Sequence, residues 1–189
     1  AQIAAIGSHG QTVRHCPTGQ PAYTLQLGDP NTLAARTGIP VVADFRRKDV
    51  ALGGQGAPLV PAFHQAIFHK TGIPRVILNL GGIANITWLP GTDSKILGFD
   101  TGPANTLLDQ WYRFCHPTAA TSFDPDGQFA TTGTVNESLL EQWLTAEYFH
   151  LAPPKSTGRD DFNLQWLIQQ TDDIKRYPPA DVQATLVEL

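Results

Sequence analysis

The sequence has 189 residues, 41% of them hydrophobic and 16% charged, with a net charge of -4; this is the composition of an ordinary globular chain and excludes a disordered or fibrous one. The charges are mixed and form no basic stripe, which argues against nucleic acid as a partner, and no apolar run reaches the roughly 18 residues that cross a bilayer. The two cysteines, Cys16 and Cys115, are too widely separated to suggest a disulfide framework, so a reducing, cytoplasmic setting is expected.

In chain order, Ile3 to Gly7 reads as a buried strand that ends in a polar turn, Ser8-His9-Gly10-Gln11-Thr12. Tyr23 to Leu27 alternates as a strand and is followed by a turn at Gly28-Asp29-Pro30. A short helix over Asn31 to Arg36 stops at Gly38. Val41 to Phe45 is a further strand, after which Arg46-Arg47-Lys48-Asp49 reads as a charged loop and Gly53 to Gly56 as a flexible one. From Pro58 to Lys70 the apolar positions Leu59, Phe63, Ala66 and Ile67 recur near helical spacing, which predicts a helix packed on a sheet.

The clearest element is a hairpin: a buried strand Arg75 to Leu80, a tight Gly81-Gly82 turn, and a returning strand Ile83 to Trp88. Ile96 to Asp100 is a third strand, and Thr101-Gly102-Pro103 opens a helix through about Phe114. Helices are expected over Val135 to Phe149, Phe162 to Gln170 and Ala180 to Leu189. The loop Pro153 to Asp160 is too polar to be buried without a reason. Strands alternate with helices, so the class is α/β. A domain boundary is expected near Ile73-Pro74, giving regions 1–73 and 74–189. A chain that opens on a strand, contains no Met and stops within an apolar helix reads as an internal piece of a longer one.

Four groups of residues carry chemistry. The Gly81-Gly82 turn has no side chain to block a ligand, and its backbone N–H groups suit phosphate oxygens; a plain hairpin turn is the alternative. Asn79 and Asn85 flank it with polar groups on otherwise apolar strands. Asp100 ends a strand just before a helix, the place where ligands collect in open α/β sheets, so it suits a general base. It equally suits a helix N-cap. Ser8, His9 and Gln11 suit the orientation of a hydroxylated ligand, and Arg46 and Arg47 suit either an anion clamp or a solvated loop. The histidines show no metal-ligand spacing, and no metal-ligating residue is assigned.

Taken together, Ile6-Gly-Ser-His-Gly-Gln-Thr12, Asp44-Phe-Arg-Arg-Lys-Asp49, Leu52-Gly-Gly-Gln-Gly-Ala-Pro-Leu-Val-Pro-Ala-Phe-His64, Leu78-Asn-Leu-Gly-Gly-Ile-Ala-Asn85, Gly98-Phe-Asp-Thr-Gly-Pro103, Pro154-Lys-Ser-Thr-Gly-Arg159 and Asp181-Val-Gln-Ala-Thr-Leu186 resemble the anhydro-N-acetylmuramic acid kinases along the whole chain. The resemblance implies a ribonuclease-H-like, actin/hexokinase-like two-domain fold that is incomplete here. The end of the first domain would occupy 1–73 and the start of the second 74–189. It also implies ATP and Mg²⁺ as cofactors, a small amino sugar as substrate, cytoplasmic cell-wall recycling and a homodimer, with no membrane partner. In that reading Asp100 is the catalytic base and Asn79, Gly81, Gly82 and Asn85 hold the nucleotide. Ser8, His9, Gln11, Arg46, Arg47, Thr101, Gly102 and Asn105 meet the sugar. The family's opening Gly-Thr-Ser-x-Asp-Gly loop and its late Gly-rich adenosine segment do not occur in this sequence, and Ala104 stands where many relatives carry Gly. Another sugar or acyl kinase of the superfamily, and a non-catalytic Hsp70-like nucleotide-binding module, are the alternative readings.

Overall fold

A computed structural model describes residues 2–189, which group by their contacts into two units, one up to Ala62 and one from Phe63 onward. In the first unit, β1 (Ile6–Ser8) pairs in parallel with β4 (Val41–Ala43), in a register that sets Ser8 opposite Ala43. Between them, β2 (Gln11–Cys16) and β3 (Tyr23–Leu27) form an antiparallel ribbon with an irregularity between Thr12 and Arg14. The polar turn is therefore shorter than its sequence suggests. Gly10, at φ 70°, makes the reversal, and Gln11 and Thr12 already belong to β2.

Helix α1 (Pro30–Thr37) begins where the Asp29 carboxylate accepts the Asn31 and Thr32 backbone N–H groups at 3.1 and 3.0 Å. It ends where Gly38 takes φ 68° and donates its N–H to Ala34 O. Both signals stand in the sequence as an N-cap acid and a C-terminal glycine. The charged stretch after β4 is not a loop but helix α2 (Phe45–Ala51), entered through Asp44 in the left-handed region at φ 63°. Three consecutive cations are compatible with a helix whose outer face is solvated, and Arg47 pairs with Asp44 at 2.6 Å on that face.

Helix α3 (Pro61–Phe68) is shorter than its apolar pattern implies. The face expected to pack on a sheet is open instead, with Phe63 60% and Ile67 59% exposed. The second unit continues with β5 (Arg75–Leu80), β6 (Ile83–Leu89) and β7 (Leu97–Pro103) in one antiparallel sheet of order β5-β6-β7. Val76, Leu78 and Leu80 of β5 are exposed rather than buried. Thr101, Gly102 and Pro103 extend β7 instead of opening the next helix, α4 (Asn105–Cys115).

The span from Val135 to Phe149 is two helices, α5 (Glu137–Leu144) and α6 (Glu147–His150), broken at Thr145 and Ala146. Two more follow, α7 (Leu164–Gln169) and α8 (Pro179–Glu188). Leu107, Trp111, Leu139, Trp143, Phe162, Leu167, Val182 and Leu186 form the core between these helices. Trp143 is fully buried and donates its indole N–H to Thr171 Oγ1 at 3.0 Å. This helical core fixes α4 and α6, the two elements that frame the end of β7.

Candidate active site

Three polar residues line up across the sheet of the second unit. Asn79 of β5 lies opposite Asn85 of β6, and Asn85 lies opposite Asp100 of β7. Directly opposed residues of antiparallel strands share a face, with neighbouring strands about 4.8 Å apart. Asn79, Asn85 and Asp100 therefore form one row, graded from an exposed Asn79 to an Asp100 that is 5% exposed. The β6–β7 register shifts between Ala84 and Asn85 and leaves Thr101 as the extra residue. Such bulges re-aim a strand end. Here the Thr101 hydroxyl donates to Ala84 O at 3.3 Å and ties the bulge to β6.

Asp100 is held on several sides. Its Oδ2 accepts the Thr157 backbone N–H at 3.0 Å, its own N–H donates to Lys155 O at 3.1 Å, and its carbonyl accepts the Tyr148 hydroxyl at 2.7 Å. Burial, then the charges of Asp100 and Asp161, push the Tyr148 phenol well above its ordinary value, so it stays a donor. The polar loop 153–160 is partly buried for this reason: it supplies Asp100, in the middle of β7, with main-chain partners.

The Gly81-Gly82 turn is bound to the start of α4. Gly82 O accepts the N–H groups of Ala104 and Thr106, each at 3.0 Å. Gly81 O accepts the Asn105 N–H at 3.1 Å and the Asn105 side-chain amide at 2.9 Å. These are the orphan donors of a helix start. The first amides of α4 are thus taken by the turn's carbonyls instead of lying open to an anion, and Ala104, not Asp100, holds the N-cap position. The Gly81–Gly82 peptide is trans. With Gly81 O turned to α4, the Gly82 N–H of the trans peptide points the opposite way, away from α4. A Cβ at Gly82 would lie 2.7 Å from Thr106 Oγ1, and one at Gly102 2.7 Å from the Phe149 ring, so neither position accepts a side chain without movement.

In the first unit, Arg46 is the organising residue. Its Nε–H donates to His9 Nε2 at 2.7 Å and its Nη1 donates to Gly56 O at 2.6 Å. Because His9 Nε2 accepts, the proton is on Nδ1, which lies 2.7 Å from Gly10 O. His9 is thereby oriented with both ring nitrogens engaged, which leaves neither free to abstract a proton. Arg47 faces outward to Asp44. Gln11 is exposed at the start of β2. Ser8, together with Asp29, Thr32 and Arg36, lines a hollow of about 550 Å³ in the same unit.

The structure thus brings Asn79, Gly81, Gly82, Asn85, Asp100, Thr101, Gly102 and Asn105 together in the second unit, and His9 with Arg46 in the first. Tyr148, Lys155 and Thr157 were missed by sequence reasoning, since each meets Asp100 about fifty positions away along the chain. The available signals were a polar loop placed among apolar helices and, for Lys155 and Thr157, the segment Pro154-Lys-Ser-Thr-Gly-Arg159 within it. Among the described residues no group of three His, Cys, Asp or Glu side chains is set to hold a metal ion, and no helix is long and apolar enough to cross a membrane.

The family model described as anhydro-N-acetylmuramic acid kinase matches residues 1–189. Proteins named anhydro-N-acetylmuramic acid kinase from Shewanella loihica and Shewanella amazonensis are 58% and 59% identical over 188 and 189 residues. Each alignment covers 100% of this chain and 50% of the relative, so the chain spans about half the length of the curated relatives it matches.

Proposed function

The chain belongs to the anhydro-N-acetylmuramic acid kinase family, and from that membership we propose that it is part of an ATP-dependent kinase of cell-wall recycling. That kinase opens the 1,6-anhydro bridge of 1,6-anhydro-N-acetylmuramic acid and phosphorylates O6. The observation that carries the reading is a single carboxylate, Asp100, in the middle of β7 rather than at its end, in one row with Asn85 and Asn79, which flank the glycine turn. Asp100 accepts a proton from a water as that water's oxygen bonds to the anomeric carbon. The bond from that carbon to O6 breaks, its electron pair stays on O6, and O6 takes the γ-phosphoryl group as ADP leaves. The products are N-acetylmuramate 6-phosphate and ADP.

Phosphoryl transfer relies on positioning and charge neutralisation. The Gly82 N–H serves a phosphate oxygen, with Gly81, Asn79 and Asn85 lining the approach. Mg²⁺ would supply neutralisation of the nucleotide's phosphate charge, and Asp100 is the carboxylate of the row that would face it. In the second unit Thr101, Gly102 and Asn105 are the candidates for contact with the sugar; in the first unit, taken by itself, Ser8, His9 and Gln11 suit hydroxyl and acetamido groups and Arg46 or Arg47 suits a carboxylate. The two regions 1–73 and 74–189 belong to two ribonuclease-H-like domains, in a cytoplasmic enzyme that forms a homodimer.

The test is Asp100→Asn in the full-length parent protein, assayed for ADP release with the anhydro sugar. Loss of general-base catalysis lowers kcat by about 10²–10⁴, with product analysis showing no N-acetylmuramate 6-phosphate. Undiminished turnover by the variant would remove Asp100 from the reaction.

A further inference from the structure

Lys155 is the least expected buried group in the second unit. It is 9% exposed, and its Nζ donates to Tyr148 O at 2.8 Å, with Phe149 O at 3.5 Å. The ammonium also lies 4.6 Å from the centre of the Tyr148 ring. The ion pairs found among the described residues are Arg47–Asp44 and Arg176–Asp173, so this cation is matched by carbonyl oxygens and an aromatic face. Burying an ammonium against neutral partners is costly, and burial holds the Lys155 pKa below its ordinary value. A side chain needed only to fill space here would be met by Met or Leu.

The neighbouring contacts show what the ammonium holds. Tyr148, whose carbonyl and ring engage it, donates its hydroxyl to Asp100 O. Lys155's own carbonyl accepts the Asp100 N–H, and two residues on, the Thr157 N–H binds Asp100 Oδ2. The contacts close a ring from Asp100 to Lys155, from Lys155 to Tyr148, and from Tyr148 back to Asp100. Thr157 is further braced by its hydroxyl, which donates to Asp161 at 2.8 Å. Phe149, next to Tyr148, packs against Gly102 two residues beyond Asp100. Lys155 is the one member that joins loop 153–160 to α6 through its side chain.

We propose that Lys155 is a positioning residue for Asp100: by fastening loop 153–160 to the end of α6, it keeps the Thr157 N–H on the Asp100 carboxylate and fixes the direction in which that carboxylate accepts a proton. The inference rests on Asp100 being the base. An amide bonded to a carboxylate favours its charged form. Loosening the loop therefore has a signature distinct from a loss of packing: Asp100 protonates more readily.

The experiment uses the full-length parent protein and Lys155→Met. The Thr157 amide resonance is followed against pH by NMR, and kcat and KM are measured with the anhydro sugar and ATP. The Thr157 amide reports the charge on Asp100 directly and independently of turnover. Lys155→Met is expected to raise the midpoint of that titration by about one pH unit and to lower kcat at least tenfold, with both KM values within about threefold. A variant that keeps the parental midpoint and kcat overturns the proposal. If Lys155→Met does not fold, Lys155→Arg, which keeps a cation and donors at the site, is expected to retain midpoint and kcat. An Arg variant that folds with the parental midpoint but loses turnover overturns the positioning role. The Asp100→Asn variant separates the two readings, since its undiminished activity would sink the base assignment whatever Lys155 does to the Thr157 titration.

Discussion

The contact between the glycine turn and α4 yields a sharp test at Gly82. A Cβ added there would stand 2.7 Å from Thr106 Oγ1 and 4.0 Å from Thr106 Cβ. Thr106 is buried in the first turn of α4, and its own N–H is bonded to Gly82 O at 3.0 Å. The hydroxyl swings clear only by changing its χ1 rotamer, and the turn cannot retreat without releasing the bonds from Ala104, Asn105 and Thr106. Overpacking of this kind costs about 1–3 kcal/mol. Gly82 is not in the left-handed region, so the backbone itself accepts alanine, and the penalty is confined to the Thr106 hydroxyl. All four tryptophans, Trp88, Trp111, Trp143 and Trp166, lie in the second unit, so their fluorescence during urea unfolding reports on that unit alone. With an m-value of about 2 kcal/mol/M, Gly82→Ala lowers the midpoint by about 1 M. In a Thr106→Ala background the obstacle is gone, and the same substitution should be neutral or slightly stabilising, by up to about 1 kcal/mol. Equal destabilisation in both backgrounds would refute the steric argument.

Two further expectations concern single ionisable groups. Burial pushes the Cys115 thiol up from 9.0 to about 11, so its alkylation by iodoacetamide at neutral pH should run about a hundredfold slower than that of an unperturbed thiol, because the thiolate fraction falls tenfold per pH unit. Peptide mapping after timed labelling checks this, and modification of Cys115 at the rate of a small-molecule thiol would contradict the burial. Bonds from Thr32 and Asn31 lower the Asp29 pKa below its ordinary 3.8. The stabilisation of α1 by its cap is therefore complete above that ordinary value and is lost only as the pH falls through the lower folded value. An NMR titration of the Asn31 and Thr32 amides should have its midpoint below 3.8, and a midpoint at or above 3.8 would mean that the cap does not persist in solution.

Local chemistry was legible in the sequence wherever it acts over a few residues. The stop at Gly38 and the Gly81-Gly82 hairpin were readable from turn residues and period-two or helical spacing, whereas Asp29, read as part of a turn, caps α1, and the strand expected to end at Asp100 runs on to Pro103. The errors have physical reasons. Arg46, Arg47 and Lys48 looked like a loop because charge suggests solvent, yet one exposed face is enough to make such a run helical. Phe63 and Ile67 looked buried because periodicity gives a face but not its partner, and the face is open here. Residues 135 to 149 read as one helix because nothing at Thr145 and Ala146 breaks a helix by propensity; α6 instead turns so that Tyr148 reaches Asp100.

The same distinction between local and distant contacts bears on the two readings of Asp100 that position alone left open. An acid used as an N-cap must sit at the first residue of the helix and give its oxygens to the next amides. Here α4 starts at Asn105, its cap position is Ala104, and its early amides are bonded to Gly81 and Gly82 carbonyls. Asp100 is thereby released from capping. Its carboxylate is bonded instead by an amide from loop 153–160, and its main chain is held by Lys155 and Tyr148. A buried carboxylate is retained only when its neighbours favour its charge, and these neighbours come from elements that have no need of Asp100 for their own termini. Their convergence on one residue in the middle of β7 is the physical support for the proton acceptor proposed there, and on that proposal the integrity of the loop, as much as the identity of residue 100, is the quantity that activity measurements should track.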